Sequence, residues 1–159
     1  MKPILLFLSS LFVLFLSACV PALKTQPAVS IPTETAPAPT QAANEGTTHT
    51  DQQGAVVVEV TPLNLDAPGQ TLDFQVSMNT HSVDLSMDLA TLATLATDAG
   101  LQAEAISWDG PRGGHHVSGT LSFPATVNEK PLLEGASQMR LTIRSVDANA
   151  RIFTWSINR

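Results

Sequence analysis

Apolar and polar residues alternate with a period of two along much of the chain after residue 55. In the clearest stretch, Leu72, Phe74, Val76 and Met78 alternate with Thr71, Asp73, Gln75 and Ser77. Successive side chains of a β-strand point to opposite faces, so this pattern predicts a strand with one buried face. The same alternation predicts strands within residues 83–87, 117–123, 139–143 and 152–157, and a β-branched run predicts another within 56–60.

The segments between these stretches are less regular. Residues 89–97 combine a Leu/Ala spacing that suits a short helix with three threonines that weaken it, so helix and strand both stay open. After a turn at residues 98–100, we expect residues 101–108 to return as a strand. Residues 109–114 are rich in Gly and Pro and predict a loop, and residues 125–138 predict a long connection.

Seven or eight short strands with turn signals between them predict an all-β domain over residues 54–159. The spacing favours an immunoglobulin-like antiparallel β-sandwich, with a small closed barrel as the alternative. The chain has no Cys…Trp…Cys pattern, so an antibody-type domain is not implied. The inward-facing positions predict a core between two sheets that contains Phe74, Leu121, Phe123, Leu141, Ile143 and Trp155.

The first residues of the chain follow a different pattern. Lys2 gives a positive start, and residues 4–16 are apolar apart from two serines and lead into small residues. This order is typical of a secretory signal peptide, and the apolar run is shorter than the roughly 20 residues that a spanning helix needs. Leu16-Ser17-Ala18-Cys19 resembles the lipobox of bacterial lipoproteins. The resemblance implies that residues 1–18 are removed as a signal peptide and that Cys19 carries a covalent lipid on its sulfur.

Two alternatives to a lipidated cysteine stay open, namely an ordinary signal peptide followed by a chance cysteine and an uncleaved membrane anchor. After Cys19, residues 20–53 are rich in Pro, Ala and Thr and contain no Phe, Trp or Tyr. Such a segment cannot bury enough apolar surface to offset the entropy of ordering it. We therefore expect residues 19–53 to be a lipidated cysteine and a disordered tether that is dispensable for folding, with the domain beginning at residue 54.

Charge and composition exclude several classes of function. The formal net charge is −6, which does not suggest a nucleic-acid partner. Cys19 is the single cysteine, so a disulfide within the domain and a zinc site of four thiolates are excluded. The common motifs of hydrolases, nucleotide-binding loops and zinc proteases are missing from the sequence, which favours a non-enzymatic protein without a cofactor other than the lipid. A hydrolase that uses Ser82 or Ser118 beside a histidine is an alternative.

His81, His115 and His116 are the candidate metal ligands. His81 lies in a break between two predicted strands, and the other two follow Gly113-Gly114 and open a strand. Neutral imidazole suits zinc or copper, and a site needs three or four ligands. The ligand set would be completed from Asp84, Asp109, Met78 or Met87. Adjacent strand residues point apart, so we expect these histidines to serve the structure or a partner surface and to bind no metal tightly.

Two weaker candidates come from acidic and aromatic residues. Asp84 and Asp88, with Asp73 opposite, would offer carboxylates to calcium, but without a D-x-D-x-D loop the sequence favours a solvated polar face. Trp108 ends a predicted strand beside Asp-Gly-Pro. Its indole would serve either as a partner contact or as half-buried packing.

The domain also resembles a family of uncharacterised bacterial lipoproteins. The shared motifs are Thr80-His81-Ser82-Val83-Asp84-Leu85, Gly113-Gly114-His115-His116 and Phe153-Thr154-Trp155. The resemblance implies the sandwich but no activity. We therefore expect a membrane-anchored lipoprotein of the cell envelope, facing away from the cytoplasm, that acts as a binding or scaffolding module.

This expectation also names the location and the partners. The partners would be the membrane, through the lipid, and an envelope protein or surface ligand. Val20 after the cysteine resembles the signal for the outer membrane in a host with two membranes. A copper- or zinc-binding envelope protein built on His81 and the His115-His116 pair is the alternative function.

Overall fold

A computed structural model describes residues 47–157. The expected signal peptide, Cys19 and the tether up to residue 46 lie outside the described residues. In chain order the strands are β1 (His49–Asp51), β2 (Val56–Pro62), β3 (Thr71–Thr80), β4 (Ala93–Thr97), β5 (Gln102–Glu104), β6 (Ser107–Trp108), β7 (His116–Pro124), β8 (Thr126–Val127), β9 (Lys130–Pro131), β10 (Gln138–Arg144) and β11 (Ala150–Ser156). Within residues 47–157, no helix is long and apolar enough to cross a membrane.

Two antiparallel sheets pack face to face. The first has five strands in the order β1-β2-β3-β7-β6, and the second has four in the order β11-β10-β4-β5. Phe74 of the first sheet lies edge-on to Phe123, with ring centroids 5.7 Å apart, and 5.6 Å from Trp155 of the second sheet. The predicted antiparallel β-sandwich is confirmed, and the separate sheets exclude the closed barrel for this part of the chain.

Alternation of side chains produces the core as predicted. In β3 every second residue is buried and every other one is partly exposed. The predicted core residues are all buried, the most exposed being Trp155 at 4%. Burying a large apolar side chain stabilises a fold by about 1.5–3 kcal/mol. The inward faces of both sheets therefore supply the main stabilising term.

Two of the strand predictions were wrong, because the backbone of these segments is hydrogen-bonded differently from what the sequence pattern suggested. Residues 83–87 form no strand. The backbone of Leu85 bonds to Gly113 and Gly114 of a loop instead of to a neighbouring strand. Residues 101–108 form β5 and β6, which belong to different sheets. The chain crosses between the sheets at residues 105 and 106, whose amides bond one to each sheet.

The structure also decides the conformation of the segments whose sequence pattern was irregular. Residues 89–97 contain a turn of 3-10 helix, Leu89–Thr91, capped by the Asp88 side chain, and then β4. The long connection holds the β8–β9 hairpin. Its turn residues Asn128 and Glu129 have φ angles of 50° and 65°. Positive φ at both central residues is typical of two-residue hairpin loops.

The folded domain begins before residue 54, which corrects the predicted boundary. β1 lies inside the segment predicted to be a disordered tether, and it pairs with β2 so that His49 opposes Val60 and Asp51 opposes Val58. The strand is short and polar, so contacts with distant residues must hold it in place. The tether prediction for residues 20–46 concerns residues outside the described part.

Candidate functional site

The register between β3 and β7 brings the two histidine-bearing breaks together. Asn79, near the end of β3, pairs with His116 at the start of β7. The ring of His81, just after β3, lies nearly perpendicular to the ring of His116, with centroids 6.4 Å apart. We call residues 81–88 and 109–116 the histidine end of the sandwich. His81, His115 and His116 are all exposed there.

His116 is oriented by one side-chain partner. Its Nδ1 lies 2.8 Å from the amide oxygen Oδ1 of Asn79. Because an amide oxygen only accepts hydrogen bonds, Nδ1 is the donor in this contact, and Nε2 has no hydrogen-bond partner among the described residues. This arrangement leaves one ring nitrogen of His116 available to an external ligand.

The other proposed ligands do not join this pair. His115 precedes β7, and its backbone carbonyl accepts a hydrogen bond from the Thr80 amide at 2.9 Å. Met78 is fully buried in the core, which contradicts its proposed role as a ligand. Among residues 47–157, no three His, Cys, Asp or Glu side chains converge as a metal site would require. The expectation of no tight metal binding stays a prediction.

The proposed carboxylates have other partners. Asp84 Oδ1 accepts from the Gly114 amide at 3.1 Å, and Asp109 accepts from the Thr120 amide. Asp88 pairs with Arg112 at 2.6 Å. Asp73 pairs with Ser122 on the first sheet and does not oppose Asp84, so the calcium grouping proposed from the sequence is not assembled in the described part of the chain.

Hydrogen bonds between the two loops hold the histidine end in one conformation. Leu85 donates to the Gly114 carbonyl at 3.1 Å and accepts from the Gly113 amide at 3.0 Å. Gly113 and Gly114 have φ angles of 90° and 96°, in the region that favours glycine because side chains clash there. Exposed side chains at this end are therefore presented from a fixed backbone.

The remaining candidates have structural contacts. Ser118 Oγ accepts from Gln75 Nε2 at 2.9 Å, and no hydrogen bond among the described residues joins Ser82 or Ser118 to a histidine ring. Trp108 is half-buried, and its Nε1 has no hydrogen-bond partner in the described structure. A Cβ at Gly110 would lie 2.1 Å from its ring, so the loop backbone packs directly on the indole. A partner contact through Trp108 stays a prediction.

A buried arginine, which we did not anticipate, ties β1 to β11. Arg151 has no exposed surface, and its Nη1 lies 2.5 Å from Asp51 Oδ1. Nη2 donates to the Gln53 carbonyl at 2.6 Å, and Nε donates to the Val146 carbonyl at 2.9 Å. A buried charge needs such pairing to offset its desolvation. Arg151, Phe153 and Trp155 are alternate residues of β11 and therefore share one face of the strand. This alternation is the sequence signal that Arg151 points inward.

Asp51 is held ionised against this arginine. Burial acts to raise the pKa of Asp51, but hydrogen bonds from Gln53 and the charge and hydrogen bond of Arg151 together lower it below its usual value. Gln53 Nε2 donates to Asp51 Oδ2 at 2.7 Å, and the Gln53 amide donates to Oδ1 at 3.0 Å. The carboxylate therefore stays charged at neutral pH.

Two further contacts fix the ends of this segment. Trp155 Nε1 donates to the Thr47 carbonyl at 2.6 Å, and the His49 ring lies 4.9 Å from the indole. The Ala55 amide donates to Asp147 Oδ2 at 2.5 Å. We call residues 47–55, together with Asp147, Arg151 and Trp155, the N-terminal seam.

Thr47 and Thr48, the first residues that the structure describes, lie at the end of the sandwich opposite to the histidines. Thr48 Oγ1 lies 2.7 Å from Thr61 Oγ1, near the last residue of β2. Val56, the first residue of β2, pairs instead with Thr80, which precedes His81. Residues 56 and 61 are five strand positions apart, which corresponds to roughly 17 Å. We call the end beside Thr61 the Thr47 end.

The two packed sheets define an all-β sandwich domain. Sequence comparisons assign this domain to no family. No protein-family model matches the chain, and no curated protein matches it. Among solved structures, MPT63, a secreted protein from Mycobacterium tuberculosis, matches with 14% sequence identity and a TM-score of 0.40, covering 70% of this chain and 92% of that chain. A likeness this distant carries no argument about function.

Proposed function

We propose that the protein is a lipid-anchored module of the cell envelope that binds a partner without catalysing a reaction. The Leu16-Ser17-Ala18-Cys19 sequence supports the anchor, because it follows an apolar run and contains the single cysteine. A single acyl chain holds a protein only marginally, whereas two or more chains hold it stably. A diacylglycerol on Cys19 would therefore be a lasting attachment.

The position of the two ends is the observation that carries the binding role. Thr47, the first residue that the structure describes, lies at one end of the sandwich, and the exposed side chains of His81, Arg112, His115 and His116 lie at the opposite end. A domain attached in this way presents its histidine end on the side away from its attachment. This arrangement suits contact with a partner beyond the membrane surface.

The fixed backbone of the histidine end also favours binding. The bonds between Leu85 and the Gly113-Gly114 loop hold the loops together, and Arg112 is oriented by Asp88. Surfaces that are already ordered lose less entropy when they bind. The histidine end is therefore better suited to recognition than a mobile loop of the same composition.

Lipidation is tested in cells that express the full chain and receive labelled palmitate. We expect Cys19→Ser to lose the label and to leave the membrane fraction. Ser30→Ala, which lies in the expected tether and leaves the lipobox intact, should keep both. Unchanged labelling and membrane association of Cys19→Ser would contradict the anchor.

Partner binding is tested with a photoreactive amino acid placed at His115 or, as a control, at the exposed Gln70 of the Thr47 end. Irradiation of whole cells should give a discrete adduct from position 115 and none from position 70. Equal adducts from both positions, or none from position 115, would contradict a binding role for the histidine end.

A metal-binding protein is the second candidate, and the 6.4 Å approach of His81 and His116 favours it. Calorimetric titration of the mature chain carrying Cys19→Ser with zinc and copper(II) separates the two proposals. We expect no tight binding. A one-to-one isotherm with submicromolar affinity that is lost in His81→Ala and in His116→Ala, but not in His115→Ala, would establish the metal site.

A further inference from the structure

The outer face of the second sheet carries two exposed arginines. Arg140 and Arg144 lie on β10 and are both exposed, and their even spacing places them on the same face. Among the described residues, neither forms an ion pair with a carboxylate. By contrast, Arg112 is paired with Asp88 and Arg151 with Asp51. Neither β10 nor β11 contains an acidic residue, and the acids of this sheet lie outside these two strands, with Asp98 in a pocket beside Arg140 and Glu104 on β5.

An exposed apolar side chain lies between the two arginines. Thr142 stands midway between them on β10 and pairs with Ile152 on β11. Ile152 is 56% exposed, one of the few large apolar side chains that the domain leaves in solvent. We call Arg140, Thr142, Arg144 and Ile152 the arginine strip. Its neighbours on the same face have short side chains, namely Thr94, Ala96 and Thr154.

We propose that the arginine strip is a docking surface for an extended acidic segment of a partner protein. Residues four apart on a strand are separated by about 13 Å, whether the strand is β10 or a bound peptide. Residues 1, 3 and 5 of an extended peptide share one face. A segment with the order acid-x-apolar-x-acid thus places two carboxylates over the arginines and its apolar residue against Ile152.

The chemistry of the strip favours this partner over two others. Guanidinium groups bind carboxylates through paired hydrogen bonds. A second copy of this chain docked through the same patch would bring four arginines into one interface, which is unfavourable. An anionic membrane would also cover Glu104, which stands opposite Thr94 at the edge of the same sheet. A narrow peptide covers β10 and β11 without reaching that carboxylate.

The test uses the mature chain with Cys19→Ser and a fluorescein-labelled peptide centred on Glu-Thr-Val-Thr-Glu. The charge control replaces both Glu by Gln, and the spacing control carries the same residues with the two Glu adjacent. Fluorescence anisotropy at low salt should show saturable binding of the first peptide that weakens as salt is added. Both control peptides should bind at least several-fold more weakly.

Matched variants locate the contact. Arg140→Gln with Arg144→Gln should weaken binding about tenfold, since exposed charge pairs each contribute modestly. Lys24→Gln with Lys130→Gln removes the same charge from positions outside the arginine strip and the histidine end, and should change affinity less than about twofold. Ile152→Ser should weaken binding of the acidic peptide while leaving its dependence on salt unchanged.

Several results would overturn the proposal. Equal weakening of peptide binding by the two charge-matched double variants would mean that the peptide is attracted by the overall charge of the domain and not by the arginine strip. The absence of saturable peptide binding would leave the strip without this partner. Co-sedimentation with phosphatidylglycerol vesicles that is lost in the Arg140/Arg144 pair would assign the strip to the membrane. None of these results depends on lipidation or on the histidine end, so the proposed function is tested separately.

Discussion

Two ion pairs within residues 47–157 look alike in distance and differ in surroundings. Arg151 lies 2.5 Å from Asp51 in the N-terminal seam, and Arg112 lies 2.6 Å from Asp88 at the histidine end. The Arg151 side chain is 0% exposed, whereas that of Arg112 is 66% exposed. Exposed pairs contribute about 0–1 kcal/mol, but breaking a buried pair costs about 3–5 kcal/mol. The buried pair of the seam therefore stabilises the fold, whereas the exposed pair of the histidine end contributes little to stability.

Deleting the first strand should have the largest effect on stability. A chain that begins at Gly54 loses β1 and leaves Arg151 buried without Asp51 or the Gln53 carbonyl. We expect a loss of roughly 5 kcal/mol or more, enough to unfold most domains. Urea denaturation should compare it with a chain beginning at residue 44, which retains the seam. Equal unfolding midpoints would show that the seam contributes nothing.

Trp155→Ala should come next. It removes a core side chain, the contact with Phe74 and the bond to the Thr47 carbonyl. Truncating a buried Trp costs about 3–5 kcal/mol. Trp155→Phe keeps most of the ring but loses the hydrogen bond, and should cost less. Circular dichroism during thermal unfolding measures both, and a small loss for Trp155→Ala would mean that the seam does not depend on the indole.

Arg151→Met tests the buried pair itself. We expect a loss of about 3 kcal/mol, at the lower end of the range for broken buried pairs, because water still reaches part of Asp51. Adding Asp51→Asn should restore part of this loss by removing the unpaired charge. Urea denaturation of the single and double variants measures the coupling. Simple addition of the two losses would argue that the residues do not stabilise each other.

Acid should weaken the seam through Asp51. Because the pKa of Asp51 is lowered in the folded domain, its contribution is present above the unfolded pKa of about 3.9 and is lost as the pH falls through the folded value. The stability difference between the natural protein and Asp51→Asn should therefore be largest near pH 7 and shrink below about pH 4. A difference that grows as the pH falls would contradict this assignment.

Arg112→Gln should have the smallest effect. The Arg112–Asp88 pair is exposed to water, so its loss should cost less than about 1 kcal/mol. Denaturation at low and high salt provides the measurement, since any contribution should fade as salt is added. A loss of stability as large as that of Arg151→Met would contradict the proposed difference between the ion pairs of the seam and the histidine end.

The alternation of apolar and polar residues predicted the sandwich because the burial of one face of each strand produces that alternation. Where every second residue is apolar, one face of the strand packs inward, as in β3. The same signal was misleading at residues 83–87. Leu85 is fully buried, as its place in the alternating pattern predicts, but its backbone bonds to a loop. Side-chain patterns report which residues are buried, not which backbone groups pair.

The seam and the histidine pair depend on contacts between distant residues. β1 is a short strand of His49, Thr50 and Asp51, with no apolar residue to mark it. It is held by Arg151, which lies 100 residues after Asp51. The approach of His81 to His116 likewise follows from the pairing of β3 with β7. A local sequence pattern does not contain the register between distant strands. The seam was therefore not predicted, and the approach of His81 to His116 was proposed only as part of the alternative metal site.

The direction of β1 has a mechanical consequence. From Thr47 the chain runs lengthwise along the sandwich toward the histidine end, antiparallel to β2. A pull between an anchored N-terminus and a partner held at the histidine end would act along the strands. Hydrogen bonds between antiparallel strands lie across that direction, so the β1–β2 ladder and the contacts of Arg151 would share the load in shear. A three-residue strand can then resist a force that would peel it away if applied sideways.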